Sequence, residues 1–176
     1  MAVTVTIDPE LEATSYVDLT YFQAWCAQNL KDLTGKDADA QSVAVNGAAE
    51  YMDARFLRLP GYRKEAGQLR EYPRECAWDS RGDKITGVPK AWKDACCAFA
   101  FLALGGISLM PNQLGDEGRS VKKSREKVGP LETEVEYDSF GGYVLPVFPQ
   151  IDRQLYRLGL ACGSGGGIGV GSVGRA

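Results

Sequence analysis

The amino-acid sequence predicts a mainly α-helical protein: a small bundle of three core helices and a C-terminal helix, with a β-hairpin and extended N- and C-terminal arms. Apolar residues recur at helical spacing in three segments of the first two thirds of the chain. A later segment alternates charged and apolar residues with a period of two, which is typical of a strand. With 176 residues and 44% hydrophobic content, the chain is long enough for one compact domain with a core.

The chain divides into an N-terminal arm at 1–16, a helical domain at 17–160 and a glycine-rich tail at 161–176. In the arm, apolar residues from Val3 to Ile7 alternate with small polar ones, which predicts a short strand or extended segment. The partner of this strand is either the sheet of its own domain or a neighbouring subunit, and the sequence does not separate the two.

Capping signals mark the first two helices. Asp18 is a typical N-cap, and the apolar stripe that follows it ends before Thr34-Gly35. The second helix begins after Asp37 or Asp39 and is expected to continue until Pro60-Gly61 stops it. Each helix has one apolar face, so both need an apolar partner.

The third helical segment, 87–106, has the strongest apolar density in the chain. Pro89 is a good first helical residue and Gly105-Gly106 a good stop. Phe101 and Leu104 make the far half apolar on the opposite side as well, so we expect this end to be buried all round. The residues expected at the surface, where another subunit or DNA would meet them, lie near the start: Lys90, Lys93 and Asp94.

A long segment with little helical pattern, 60–88, separates the second and third helices. Loops of this length are uncommon in compact domains unless they have a function. The candidates to face DNA or a partner are Arg63, Arg70, Tyr72, Arg74 and Trp78. Such a mixture of cations and aromatics can stack on and neutralise a nucleic-acid strand. Acidic residues nearly cancel the charge of the loop, which favours packing on the core or contact with a protein instead.

Residues of opposite charge lie on the two sides of Gly129-Pro130, within a predicted hairpin at 119–138. The candidates for contacts between subunits are Lys122, Lys123, Arg125, Lys127, Glu132, Glu134 and Glu136. One interpretation is a single hairpin whose arms pair opposite charges across the strands. The other is that the basic edge of one subunit meets the acidic edge of the next, which would fix a head-to-tail assembly.

A C-terminal helix is predicted over 150–160, and the tail beyond it is rich in glycine. The tail nevertheless contains apolar and basic residues: Ile168, Val170, Val173 and Arg175. It is either disordered or a segment that becomes ordered by adding a strand to a partner.

Composition excludes several classes of chemistry. The chain has no histidine and a net charge of −3, so the commonest general base is missing and a strongly basic nucleic-acid surface is not expected. The five cysteines form no CxxC pair, which favours reduced thiols over a metal site or a disulfide framework. No nucleotide-binding or hydrolase motif occurs, and no long apolar segment or signal peptide is present. We therefore expect no enzyme, no cofactor, no metal and no membrane contact.

The order of these elements resembles a known family. The resemblance spans residues 12–160 and consists of SYVDLTYFQAWCAQNL, the triplet YPR at 72–74, the helix GVPKAWKDACCAFAFLAL, the arm KKSREKVGPLETEVEY and the closing VLPVFPQIDRQLYRLGL. This series resembles the head–tail adaptor proteins of tailed bacteriophages. Some members of that family are labelled DnaT-like single-stranded DNA-binding proteins.

The resemblance implies a structural protein of the virion, made in the cytoplasm of a bacterial host. Such adaptors form a ring, usually of twelve copies, beneath the portal, where they extend the DNA channel and carry stopper or tail proteins. The tail at 161–176 would then reach the portal, and genomic DNA would pass without sequence-specific binding. The alternative is a single-stranded DNA-binding protein that uses the basic and aromatic residues of 62–81.

Overall fold

The computed structural model describes residues 5–6, 13–110, 121–127, 132–137 and 145–158; for the two ranges 121–127 and 132–137 and for residue 157 it describes the backbone alone. The helices are α1 (Leu19–Gln28), α2 (Ala38–Arg55), α3 (Lys90–Leu104) and α4 (Pro149–Leu155), followed by a 3₁₀ turn at Tyr156–Leu158. The strands are β1 (Tyr62–Arg63), β2 (Arg74–Glu75), β3 (Val121–Lys127) and β4 (Glu132–Tyr137), which form two antiparallel pairs. The mainly α-helical prediction is confirmed.

Helix α1 begins where the sequence predicts. The Asp18 side chain accepts a hydrogen bond from the Tyr21 N–H at 2.6 Å and so caps the first turn. The helix ends at Gln28, earlier than expected, in a Schellman turn in which the Lys31 N–H donates to the Cys26 carbonyl at 2.9 Å. Leu30 occupies the left-handed position of this turn (φ 54°), and its side chain is 94% exposed.

Helix α2 is shorter than the sequence predicts. Asp37 caps it, with its carboxylate accepting from the Ala40 N–H at 2.7 Å, but the helix ends at Arg55 and not at the predicted Pro60-Gly61. Phe56 leaves the helical conformation, and its ring packs edge-on against Trp92 with the centroids 5.5 Å apart. The last helical turn that the sequence predicts is therefore absent, and the Phe56 ring packs into the core instead.

Helix α3 lies at the centre of the core and packs chiefly on α2. Pro89 is its N-cap, so the helix begins one residue later than predicted. Trp92 is fully buried among three aromatic rings, those of Tyr16, Phe56 and Tyr72, at centroid distances of 5.0–5.6 Å. The expectation that the far end of α3 is buried all round is wrong, because Phe101 and Leu104 are only half-buried there.

The C-terminal elements are fastened to α2 by polar contacts. The predicted helix at 150–160 is found as α4 and the 3₁₀ turn. Arg55 and the buried Asp152 form an ion pair at 2.6 Å, and the Tyr51 hydroxyl donates to the Pro146 carbonyl at 2.5 Å. These contacts close the bundle around the apolar residues of α3.

The predicted hairpin is confirmed as the antiparallel pair β3–β4. Its register places residues of opposite charge directly across from each other: Lys123 and Glu136, Arg125 and Glu134, and Lys127 and Glu132. The backbone register therefore agrees with the interpretation that the two arms of a single hairpin pair their opposite charges. A contact between subunits by the same residues stays a prediction.

At the N-terminus, only residues 5–6 of the predicted strand are described, and they are not in a strand. Thr6 exchanges hydrogen bonds with Thr14, including Thr14 N–H to the Thr6 carbonyl at 2.7 Å. The remainder of the predicted strand lies outside the described residues.

Within the described part of the chain, Cys26, Cys96 and Cys97 are buried free thiols and Cys76 is exposed. No helix in that part is long and apolar enough to cross a membrane.

Candidate nucleic-acid interface

The segment 60–88 folds back on itself and is held by its own side chains. Strands β1 and β2 pair so that Tyr62 lies opposite Glu75, and the Tyr72-Pro73 peptide bond before β2 is cis. The Gln68 side chain is buried and donates to the carbonyls of Arg70 and Pro73. The predicted loop is therefore an ordered part of the domain surface.

Two of the candidate arginines converge on one carboxylate. Arg74 contacts Glu71 at 2.6 Å and donates to the carbonyls of Pro60 and Gly61 at 2.8 and 2.7 Å, while Arg63 forms a second ion pair with Glu71. Burial raises the pKa of Glu71, but the hydrogen bonds and charges of Arg63 and Arg74 outweigh it and hold that pKa below its usual range. Both guanidinium groups thus hold the chain in place.

Arg70, expected to face DNA or a partner, lies inside the protein and is only 6% exposed. Its guanidinium donates to the Thr14 carbonyl at 2.8 Å and contacts Asp53 at 3.3 Å. Asp53 also accepts from the Tyr16 hydroxyl, and that hydroxyl accepts from the Glu71 N–H at 3.0 Å. Burial raises the pKa of Asp53 and of Tyr16. Arg70 therefore joins the segment before α1, helix α2 and the loop, and it is not available to a strand of DNA.

Trp78 differs from the buried Arg70 because it is 50% exposed. It lies in a tight turn, 77–85, which we call the Trp78 turn. The Ile85 N–H donates to the Ala77 carbonyl at 2.9 Å, and the Asp79 N–H donates to the Asp83 carbonyl at 2.9 Å. The register places Lys84 directly opposite Trp78. An exposed indole with a lysine across the turn can stack on a base and neutralise a phosphate.

The tip of the turn is fixed by Asp79. Its Oδ1 accepts hydrogen bonds from the N–H groups of Arg81 and Asp83 at 2.8 and 2.9 Å, which lower the pKa of Asp79. Lys84 was not among the predicted site residues. The sequence held a signal for it, because Asp79 and Gly82 mark a tight turn that pairs the residues on its two sides.

The remaining predicted site residues are placed as follows. The backbone register brings the charged residues of β3 and β4 together with each other. Ile168, Val170, Val173 and Arg175 lie outside the described residues.

Two apolar grooves flank the C-terminal half of α3. The first, about 590 Å³, lies between Trp25, Phe101 and Phe148. The second, about 580 Å³, lies between Val43, Leu104 and Ile107, and Val43 is 55% exposed. Apolar patches of this kind are common at contacts with other proteins.

A family model described as "Putative DnaT-like ssDNA binding protein" matches residues 1–176. Searches of curated proteins and of solved structures found no match to the chain.

Proposed function

We propose that this chain, which belongs to the family of DnaT-like ssDNA-binding proteins, binds single-stranded DNA through the Trp78 turn. The single observation that carries the proposal is the exposed indole of Trp78 with Lys84 directly across the turn. Every nucleobase has an aromatic face, so stacking on Trp78 needs no particular sequence. Lys84 and Arg81 are both exposed in the same turn, and in this proposal they contact phosphates that flank the stacked base.

The charge of the protein sets the expected strength of this binding. With a net charge of −3 and few cations in the turn, only a few phosphates are neutralised and binding is weak. Asp79 and Asp83 lie in the same turn, but the Asp79 carboxylate accepts hydrogen bonds from backbone N–H groups, which reduce its repulsion of phosphates. Weak, salt-dependent and sequence-tolerant binding is the expected signature.

Replacing Trp78 with alanine is expected to weaken the binding of an oligothymidylate about 5-fold to 150-fold, the loss of one base–aromatic stack. Fluorescence anisotropy of a labelled 20-nucleotide strand at low salt measures this change in affinity. The control is Tyr156→Ala, which removes a more exposed aromatic from the 3₁₀ turn. Equal affinities of the Trp78→Ala variant and the unchanged protein would refute the proposed interface.

A second candidate function is the structural adaptor that the sequence resemblance implies, and the exposed apolar grooves favour it. In this proposal, copies of the chain cover each other's grooves in a ring that contacts the portal, the stopper proteins and passing DNA. The basic residues of β3 and the acidic residues of β4 would add charge pairs to this contact between copies. Removal of exposed apolar surface from water would drive the assembly.

Replacing Val43 with aspartate is expected to prevent the ring from forming, because a charge would be buried in the second groove. The matched control is Ala54→Asp, an exposed position on the same helix that does not line the groove. Light scattering after size exclusion and averaged electron micrographs would measure the number of copies. A monomeric unchanged protein at high concentration, with or without portal, would exclude the adaptor.

A further inference from the structure

The first apolar groove extends along α4 towards the last described residue, Leu158. A further groove of about 510 Å³ lies beside the same helix and reaches Tyr156, two positions before Leu158. The two grooves share three lining residues, Val147, Pro149 and Gln150, so they adjoin. We call the combined surface the α4 channel. The chain therefore leaves the described structure at one end of this channel.

The α4 channel presents apolar side chains to solvent. In the first groove the rings of Trp25 and Phe101 are half-buried, and Val147, which lines both grooves, is 56% exposed. Tyr156, at the far end, is 70% exposed. Covering such surface is favourable by about 25 cal/mol for each Å² of apolar area removed from water. A segment with apolar side chains is thus the expected occupant.

The glycine-rich tail contains a segment of this chemistry. Three branched apolar residues, Ile168, Val170 and Val173, follow one another among glycines. Glycine has no Cβ atom, so the backbone between them can approach a surface closely. The exposed side chains of Gln150 and Gln154 line the first groove, and their amide groups can both donate to and accept from the peptide groups of a bound chain.

The length of chain beyond Leu158 fits the distance to the first groove. Ile168 follows Leu158 by ten positions, and a glycine-rich chain of that length has an r.m.s. end-to-end distance of about 17 Å. The path back from Leu158 to Pro149 is about 14 Å at about 1.5 Å per residue. When linker length and span match in this way, the effective concentration of the linked segment is in the millimolar range. A second copy at micromolar concentration competes poorly with it.

We infer that residues 168–173 bind the first groove of their own chain, with Ile168 and Val170 against the Trp25 ring, and that a partner using this groove has to displace them. Residues two positions apart lie on the same face of an extended segment, so both apolar side chains can enter together. The inference does not rest on DNA binding, because the Trp78 turn does not line the α4 channel. In the adaptor proposal, a neighbouring copy would reach the first groove only after the tail leaves it.

Replacing Ile168 and Val170 together with aspartate in the full chain tests this inference. Docking would bury carboxylates in an apolar groove, so its equilibrium constant is expected to fall about 100-fold or more. The indole N–H signal of Trp25 in a two-dimensional NMR spectrum is then expected to move. The matched control is Ser164→Asp with Gly165→Asp, which adds the same charge to the tail and keeps its apolar residues. The Trp25 signal is expected to stay in place in this control.

Nuclear Overhauser contacts test the same claim in the unchanged chain. Contacts between the Ile168 methyl groups and the Trp25 ring are expected, and a mixture of isotope-labelled and unlabelled copies should show them within one copy. Contacts between a labelled and an unlabelled copy would overturn the inference and assign the groove to a second copy. The same Trp25 signal in the unchanged chain and in the aspartate variant would also overturn it.

Discussion

Replacing Arg70 with alanine is expected to destabilise the folded chain by about 3–5 kcal/mol, the cost of removing one partner from a buried ion pair. The substitution leaves the carboxylate of Asp53 without its cation and the Thr14 carbonyl without its donor. Burial already raises the pKa of Asp53, so this carboxylate takes up a proton more readily in the variant. Chemical unfolding in urea at pH 7 measures the loss.

The control for this prediction is Arg63→Ala. Arg63 pairs with Glu71 at the surface, and 44% of its side chain is exposed, so removing it should cost less than about 1 kcal/mol. Suppose instead that the Arg70 variant kept full stability and lost its affinity for single-stranded DNA. The buried network would then have little energetic weight, and Arg70 would be a DNA contact after all.

Replacing Gly61 with alanine is expected to cause a second large loss of stability. A Cβ atom at this position would lie 2.1 Å from the Glu75 carbonyl oxygen and 2.9 Å from the Ala77 nitrogen, both of which are backbone atoms. The φ of +69° adds strain of about 1–3 kcal/mol, and overpacking adds about 1–3 kcal/mol more. Thermal unfolding followed by circular dichroism would measure the loss.

Gly35→Ala provides the matched comparison, because Gly35 also has a positive φ, +76°, but a Cβ there would meet nothing within 4 Å. This variant carries the strain without the clash, so Gly61→Ala should be the more destabilised of the two. Equal losses would mean that β2 moves away from Gly61 at no cost, and the close packing of the two segments would be unimportant.

Local signals in the sequence predicted the elements that depend on neighbouring residues. Asp18 and Asp37 cap their helices because an aspartate side chain reaches the N–H group three residues ahead, whatever the rest of the fold does. The pairing of β3 with β4 follows from the opposite charges of the two arms around one glycine–proline pair and from the alternation in the second arm. These interactions are short-range, so spacing alone reveals them.

The parts that were missed depend on partners distant in the chain. Helix α2 ends early because Phe56 packs against Trp92, 36 positions further on. The sequence alone predicts that Arg70 is an exposed cation, because its partners Thr14 and Asp53 lie well before it in the chain. In the fold these partners come close to Arg70. The proposed DNA contact therefore rests on the exposed Trp78 and not on Arg70 and Arg74, whose side chains are buried.

Helix α3 separates its own N-terminus from the second apolar groove. The helix rises about 1.5 Å per residue, so about 16 Å of helix lies between Lys93 near its N-terminus and Leu104 at the second groove. That distance exceeds both the range over which substitutions usually couple and the screening length of about 8 Å at physiological salt. Substitutions at the two ends of α3 are therefore free to accumulate independently of each other during evolution.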